Sequence, residues 1–147
     1  MTNSMQRLWL AGTACMVLAA CGGEKKEAAQ PAAQSAATAG GDEIKPAPGG
    51  KVHEVELYSN EKGNYFEPKE ITANKGDVIE FELKSGVHNI NFLPDSNPGK
   101  AGLPRPSDML QLPDQKYYLY VDMATGKYFF QCDPHALLGM IGYLVVK

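Results

Sequence analysis

Alternation of apolar and polar side chains over the carboxy-terminal two thirds of the chain is the feature that most restricts its fold. In the clearest run, Ile79, Phe81 and Leu83 alternate with Glu80 and Glu82. Successive side chains of a strand point to opposite faces of a sheet, so such a run places its apolar residues in the core. Runs with one polar face are typical of antiparallel strands. No amphipathic helix of convincing length accompanies them.

Several other runs share this period of two, and turn-forming segments at 74–77, 95–98 and 125–127 separate them. The further runs are Val55 with Leu57, Tyr117 with Leu119 and Val121, Tyr128 with Phe130 and Cys132, and the apolar stretch from Gly142 to Val146. Several short strands within about a hundred residues predict an all-β fold, built as a two-sheet sandwich with Greek-key connections.

The stretch from residue 91 to 113 departs from this pattern. It holds five prolines and is predicted to be mostly loop, with a short turn of helix near Ser107 to Leu110. Loops of this length are either functional or variable surface connections, and a surface connection is the preferred interpretation.

The amino terminus has the pattern of an export signal. Arg7 precedes an apolar run from Leu8 to Ala20, which is shorter than the roughly 20 residues that a membrane-spanning helix needs but matches the core of a signal peptide. The run ends in LAACG, which resembles the bacterial lipobox, so Cys21 would become the lipidated first residue of the mature protein. A plain secretory signal with an incidental cysteine is the alternative, and initiation at Met1 or at Met5 is left open.

Three segments follow from this interpretation. Residues 1–20 are predicted to be the signal peptide, 21–50 a lipidated amino terminus and disordered linker, and 51–147 the globular domain. Residues 22–50 contain no aromatic side chain, so they cannot bury enough apolar surface to fold alone; a marginal Ala-rich helix is the alternative. The domain would be exported and anchored by lipid to a bacterial membrane, facing the periplasm or the cell exterior.

Charge and cysteine content narrow the classes of function. The net charge of −3 gives no basic excess of the kind that nucleic-acid binders show. Of the three cysteines, Cys15 would leave with the signal peptide and Cys21 would carry lipid. Cys132 would then be a free thiol outside the cytoplasm, which is a liability unless it is buried or bound. Metal binding is one solution.

The residues that carry chemistry lie in the run CDPHALLGM from Cys132 to Met140, with His88 44 residues upstream of the cysteine. A thiolate, two imidazoles and a thioether are the ligand set of a blue-copper site. One loop between two strands would supply Cys132, His135 and Met140, and His88 would come from the end of a neighbouring strand.

Two other chemistries fit part of this set. Zinc prefers four strong ligands and makes no use of a thioether. A cysteine nucleophile with His135 as its base fits the spacing, but no oxyanion-binding device accompanies it. No enzyme active site is therefore predicted.

The same residues are similar to a known family. The run from Gly126 to Gly142 resembles the small cupredoxins, particularly plastocyanin and pseudoazurin, whose loop has two residues between Cys and His and four between His and Met. The segments FEPKEI at 66–71 and GDV at 76–78, and the pair His88-Asn89, also fit the cupredoxin pattern. The resemblance covers roughly residues 52–147, so the domain at 51–147 is expected to be a cupredoxin domain.

The resemblance implies a cupredoxin-like Greek-key sandwich of about eight strands that holds one type 1 copper ion. His88, Cys132 and His135 would be the strong equatorial ligands, and Met140 the axial one. Asn89 would brace the Cys132 loop by hydrogen bonds.

His135 would be the port for electrons. The residues around it, Pro134, Leu137 and Leu138, would form an apolar docking patch, with inward packing of the leucines as the alternative.

The sequence departs from plant plastocyanins in two respects. Gln131 stands where they carry an exposed Tyr, and the charges near the site are mixed rather than acidic, so a photosynthetic partner is not supported. His53 matches no ligand of the family, and a structural or surface role is expected for it.

The predicted function is that of a lipid-anchored blue-copper carrier of single electrons between redox proteins, with a monomeric domain. A copper-binding or copper-trafficking protein without a carrier role is the alternative. A trafficking site usually has several Met or Cys ligands or an open position, whereas this set is mixed and complete.

Overall fold

The computed structural model describes residues 37–39 and 43–147, and the described chain is almost entirely β-structure. A short strand β1 (Ala37–Ala39) is followed by seven strands: β2 (Val52–Asn60), β3 (Gly63–Glu67), β4 (Glu70–Ala73), β5 (Val78–Leu83), β6 (Lys116–Tyr120), β7 (Gly126–Gln131) and β8 (Ile141–Val146). Two 3-10 helices, Pro94–Ser96 and Asp133–Leu138, complete the elements. No helix among these residues has the length and apolar character needed to cross a bilayer.

The alternation in β5 shows why these residues form strands. Ile79, Phe81 and Leu83 are buried, whereas Glu80 and Glu82 lie on the outer face, where Lys116 pairs with both. Burying a large apolar side chain contributes about 1.5–3 kcal/mol, and the outward carboxylates are satisfied by the ammonium group of Lys116. The sequence of β5 therefore determines which of its two faces is buried.

Two sheets pack face to face, so the predicted all-β sandwich is confirmed. The larger sheet has the strand order β1-β6-β5-β2-β3 and the smaller has the order β4-β8-β7. Four of the six pairs among the described strands are antiparallel, as the alternation indicated, whereas β2 pairs with β5 and β4 with β8 in parallel. Alternation specifies which face of a strand is buried but not its direction.

An aromatic cluster fills the core beneath the functional end of the sandwich. The Phe130 ring lies 4.9 Å from Phe66, 5.6 Å from Phe81 and 5.3 Å from Phe92, measured between ring centroids. Gly142 faces this ring, and a Cβ there would come within 2.3 Å of it. Phe130 stands two residues before Cys132, so this packing fixes the strand that leads into the Cys–Met loop.

The long connection between β5 and β6 is mostly loop, as expected, but its helical turn is not where it was predicted. The turn lies at Pro94–Ser96, and Ser107 to Leu110 contains no helical turn. Leu110 forms an antiparallel bridge with His88, with N–H···O distances of 3.1 and 2.8 Å, and the Ser107 N–H donates to the Ile90 carbonyl. These backbone bonds align the connection beside His88 and exclude a helix there.

The predicted signal peptide and Cys21 lie outside the described residues, and the segment boundaries stay predictions. Part of the predicted linker is described, and it contacts the domain. β1 pairs antiparallel with β6, and the Ala47 N–H donates to the Gly76 carbonyl at 2.8 Å.

Candidate metal centre

Three potential ligand atoms meet at one end of the sandwich. Cys132 Sγ lies 3.5 Å from Nδ1 of His88 and 3.5 Å from Nδ1 of His135, and the two nitrogens are 3.1 Å apart. His88 follows β5, whereas Cys132 and His135 lie at the start of the connection between β7 and β8. The structure thus brings together residues that are 44 positions apart in the chain.

This triangle has the size of a metal site. A point equidistant from its three corners lies about 2.0 Å from each, which is the length of a metal–imidazole bond and slightly less than that of a metal–thiolate bond. Two nitrogens and a sulfur in a trigonal set suit copper. Within the described part of the chain, these residues form a candidate ligand group.

His88 presents the correct nitrogen to this point. Its Nε2–H donates to the Ser85 carbonyl at 3.0 Å, and Ser59 Oγ lies 3.2 Å away. Because Nε2 holds the proton, the neutral ring leaves a lone pair on Nδ1. Burial, together with the nearby charge of His135, lowers the pKa of His88, which favours this neutral form.

Gly86 makes room for the His88 ring. Its φ is +92°, and a Cβ at this position would lie 2.3 Å from Ser59 Oγ and 2.9 Å from His88 Nε2. A glycine is therefore required both for the left-handed backbone and for the close approach of the ring.

Cys132 is a fully buried thiol at the end of β7. Burial raises its pKa, although N–H groups of Asn89 and His135 oppose that shift. The metal-free protein therefore carries a protonated thiol at neutral pH, and metal binding would displace the proton.

His135 and its neighbours form the exposed side of the centre. His88 is completely buried, whereas His135 is half-buried. Leu137 and Leu138 are 102% and 69% exposed, and Pro134 is exposed as well. The alternative that these leucines pack inward was wrong.

Met140 lies at the far end of the same loop, and its side chain is 0% exposed, in the apolar cluster that includes Cys132. Its N–H donates to the His135 carbonyl, and its own carbonyl accepts from the Cys132 N–H, both at 3.1 Å. The loop therefore closes on itself and directs Met140 inward.

A network of side-chain amides braces the loop. Asn89 Nδ2 donates to Asp133 Oδ2 at 2.8 Å, and the Asp133 N–H donates to Asn89 Oδ1 at 2.8 Å. Asn91 and Gln131 also donate to the Asp133 carboxylate. Burial alone would raise the pKa of Asp133, but these amides outweigh it and hold the pKa below its ordinary value.

Sequence reasoning identified Asn89 as a brace but missed Asn91, Gln131 and the role of Asp133. The one available signal was the carboxylate that directly follows Cys132 in the sequence. His53, in contrast, lies away from the centre. Its Nε2 is 2.8 Å from Asp77 Oδ2, a structural contact near the start of β2.

The two-sheet fold and the buried Cys–His–His triangle define a blue-copper protein of the cupredoxin class. A family model described as copper-binding proteins of the plastocyanin/azurin family matches residues 53–147. The chain belongs to this family and is a plastocyanin-like blue-copper protein.

Individual relatives agree with this assignment. Plastocyanin from Vicia faba is 34% identical over 100 residues, which are 64% of this chain and 99% of that protein. Plastocyanin from Nostoc punctiforme is 33% identical over 109 residues, covering 69% of this chain and 78% of its own.

Solved structures share the fold. Oxidised plastocyanin from Dryopteris crassirhizoma superposes with a TM-score of 0.52 at 33% identity, covering 65% of this chain and 100% of its own. A pseudoazurin from Sinorhizobium gives 0.50 at 28% identity, covering 66% and 74%. Plastocyanin-like cupredoxins are electron carriers rather than enzymes.

Proposed function

We propose that this protein is a lipid-anchored carrier that shuttles single electrons between redox proteins through one type 1 copper ion. The observation that carries the proposal is the triangle of His88 Nδ1, Cys132 Sγ and His135 Nδ1, whose sides of 3.1–3.5 Å match one trigonal metal. Copper bound there would alternate between Cu(II) and Cu(I), taking one electron from a donor protein and giving it to an acceptor.

In this proposal His88, Cys132 and His135 are the strong ligands and Met140 is the weak axial ligand. The buried Met140 and the backbone bonds that close its loop support that role. A loop fastened in this way would keep the donor atoms in place in both oxidation states. Little rearrangement of the protein would then accompany each electron transfer.

The exposed apolar surface around His135 is the proposed docking patch. Pro134, Leu137 and Leu138 are exposed next to a half-buried imidazole, whereas His88 is closed off on the other side. A partner that covers these side chains would exclude water from the shortest path to the metal. Exposed apolar patches of this kind commonly mark interaction sites.

The membrane anchor is the second part of the proposal and rests on the lipobox-like sequence at Cys21. Two or more acyl chains give stable membrane binding where one is marginal. The part of the predicted linker that precedes β1 would act as a tether, and the domain would face the periplasm or the cell exterior, reaching its partners as a monomer.

The decisive test is the visible absorption spectrum of the oxidised, copper-loaded protein. A short copper–thiolate bond gives an intense charge-transfer band, which should disappear on reduction and be absent from Cys132→Ser. Cys21→Ala is the matched control, because it removes a cysteine without touching the site. A colourless Cu(II) form of the unmutated protein would contradict the proposal.

A further inference from the structure

We propose that Asp133 sets both the position of the copper loop and the balance between its two oxidation states, by holding an unneutralised carboxylate beside Cys132. This inference rests on the proposed copper site. It assigns a role to the network of Asp133, Asn89, Asn91 and Gln131, which we call the amide clamp.

The amide clamp joins the two parts of the chain that supply ligands. Asn89 and Asn91 belong to the segment of His88, whereas Gln131 ends the strand that leads to Cys132. Asn91 Nδ2 lies 3.0 Å from both carboxylate oxygens of Asp133, and Gln131 Nε2 lies 2.9 Å from Oδ1. One carboxylate thus connects both segments.

The backbone supports this connection. Asn91 and Gln131 form an antiparallel bridge, with N–H···O distances of 2.9 and 3.0 Å. Because Asn89 and Asn91 are buried, their amide groups need partners, and the Asp133 carboxylate satisfies both. Leaving buried amide donors unpaired is costly, so Asp133 is required for the loop to keep its position.

Three neutral amides hold this carboxylate, and among the described residues it forms no ion pair. Because Asp133 is exposed, its negative charge is compensated by these amide dipoles and by water, and not by a cation. Asp133 follows Cys132 directly in the chain, and the amides of Asn89, Asn91 and Gln131 hold its carboxylate at a fixed position beside the loop. A fixed negative charge beside the metal stabilises Cu(II) relative to Cu(I), which lowers the reduction potential.

The two roles can be separated by substitution at one position. Asp133→Asn removes the charge and keeps one carbonyl oxygen as an acceptor for the clamp. Asp133→Ser removes the charge and also most of the acceptors. Glu54→Gln is the control for net charge, because it also removes one negative charge. Glu54 is exposed near the start of β2, which is paired with the start of β5. The site lies beyond the other end of β5, after Leu83.

Voltammetry at fixed pH tests the charge. We expect Asp133→Asn and Asp133→Ser to have higher reduction potentials than the unmutated protein, with differences that shrink as ionic strength rises, and Glu54→Gln to leave the potential almost unchanged. The blue absorption band should persist in all three variants. Persistence of the band with a potential shifted no more than in Glu54→Gln would overturn the charge-setting role while leaving the proposed copper site intact.

Amide hydrogen exchange of the metal-free proteins tests the clamp without copper. We expect faster exchange at the N–H groups of residues 131–133 and of His135 in Asp133→Ser than in Asp133→Asn, and unchanged rates in Glu54→Gln. Equal rates in Asp133→Ser and the unmutated protein would overturn the positioning role. If the oxidised, copper-loaded unmutated protein showed no blue absorption band, the proposed function itself would be contradicted.

Discussion

The backbone N–H of Cys132 donates a hydrogen bond to the carbonyl oxygen of Met140 at 3.1 Å. This bond fastens the first and last residues of the loop to each other, so the loop behaves as one closed unit between β7 and β8. Both side chains are completely buried. A substitution of the Met140 side chain therefore acts within a loop whose two ends are fastened to each other by a backbone hydrogen bond.

We expect Met140→Gln to lower the reduction potential and keep the blue band. A thioether is a soft, weak axial ligand that favours Cu(I), and an amide oxygen is harder and favours Cu(II). Met123→Gln is the matched control, because Met123 is buried in the core away from the loop. It should cost about 1–3 kcal/mol of stability, as for a buried polar group, without moving the potential.

Voltammetry and thermal melts on the two variants distinguish a ligand from a packing residue. If both variants lose stability and neither changes the potential, Met140 is a core residue and the centre has three ligands.

Leu137→Asp is expected to slow electron self-exchange between oxidised and reduced copies of the protein. The substitution places a charge in the proposed docking patch, where the leucine is fully exposed. Stability should change by less than about 0.5 kcal/mol, because surface substitutions rarely do more. NMR line broadening measures the exchange rate, and Val52→Asp, at an exposed position in β2, is the control. Equal slowing in both would reject a specific patch.

Cys21→Ala is expected to move the protein from the membrane fraction to the soluble fraction without changing its blue absorption. The substitution removes the proposed lipid acceptor and leaves the domain sequence intact. Immunoblots of fractionated cells measure the distribution. Continued fractionation with membranes would rule out anchoring through Cys21.

Acid stability should depend on Asp77. Burial alone would raise the pKa of Asp77, but hydrogen bonds from the N–H of Asn74, from His53 and from the N–H of Lys51 outweigh it and lower the pKa. A carboxylate whose pKa is lower in the folded state stabilises the fold above its unfolded pKa of about 4, and that contribution is lost as the pH falls further.

Asp77→Asn should therefore have a lower Tm at pH 7 and a smaller fall in Tm on acidification than the unmutated protein. Thermal melts from pH 7 to pH 2 measure both. The exposed Asp108→Asn serves as control and should follow the unmutated curve. Parallel curves for Asp77→Asn and the unmutated protein would show that Asp77 does not govern acid stability.

The sequence was sufficient to predict the layers of the fold but not the directions of all its strands. Alternation in Val78–Leu83 places Phe81 and Leu83 inside, because a strand has only two faces. The alternation is identical whether the neighbouring strand runs parallel or antiparallel. The parallel direction of β2 relative to β5 could therefore not be predicted from the sequence pattern. Strand direction depends on connections that pass through other elements.

In the site, too, the residues that a local sequence pattern identifies were predicted, and those that depend on long-range contacts were not. The spacing from Cys132 to Met140 predicted a single loop, and the structure brings His88 to it. No local sequence pattern indicated the roles of Asn91 and Gln131. These two residues are 40 positions apart, and they act by bridging to each other and by donating to the carboxylate of Asp133. Ligands are recognisable by residue type and spacing, whereas hydrogen-bonded supports depend on the completed fold.

The central place of β8 in the smaller sheet has a consequence for the order of events during synthesis. β8 lies between β4 and β7 and pairs with both, so those two strands have no common partner until Ile141–Val146 has left the ribosome. The chain therefore carries His88, Cys132 and His135 before β8 has closed the sheet that follows their loop. Copper binding by the complete centre must follow the closure of this sheet. Until β8 has paired with β4 and β7, the Cys132 thiol is the group that needs protection.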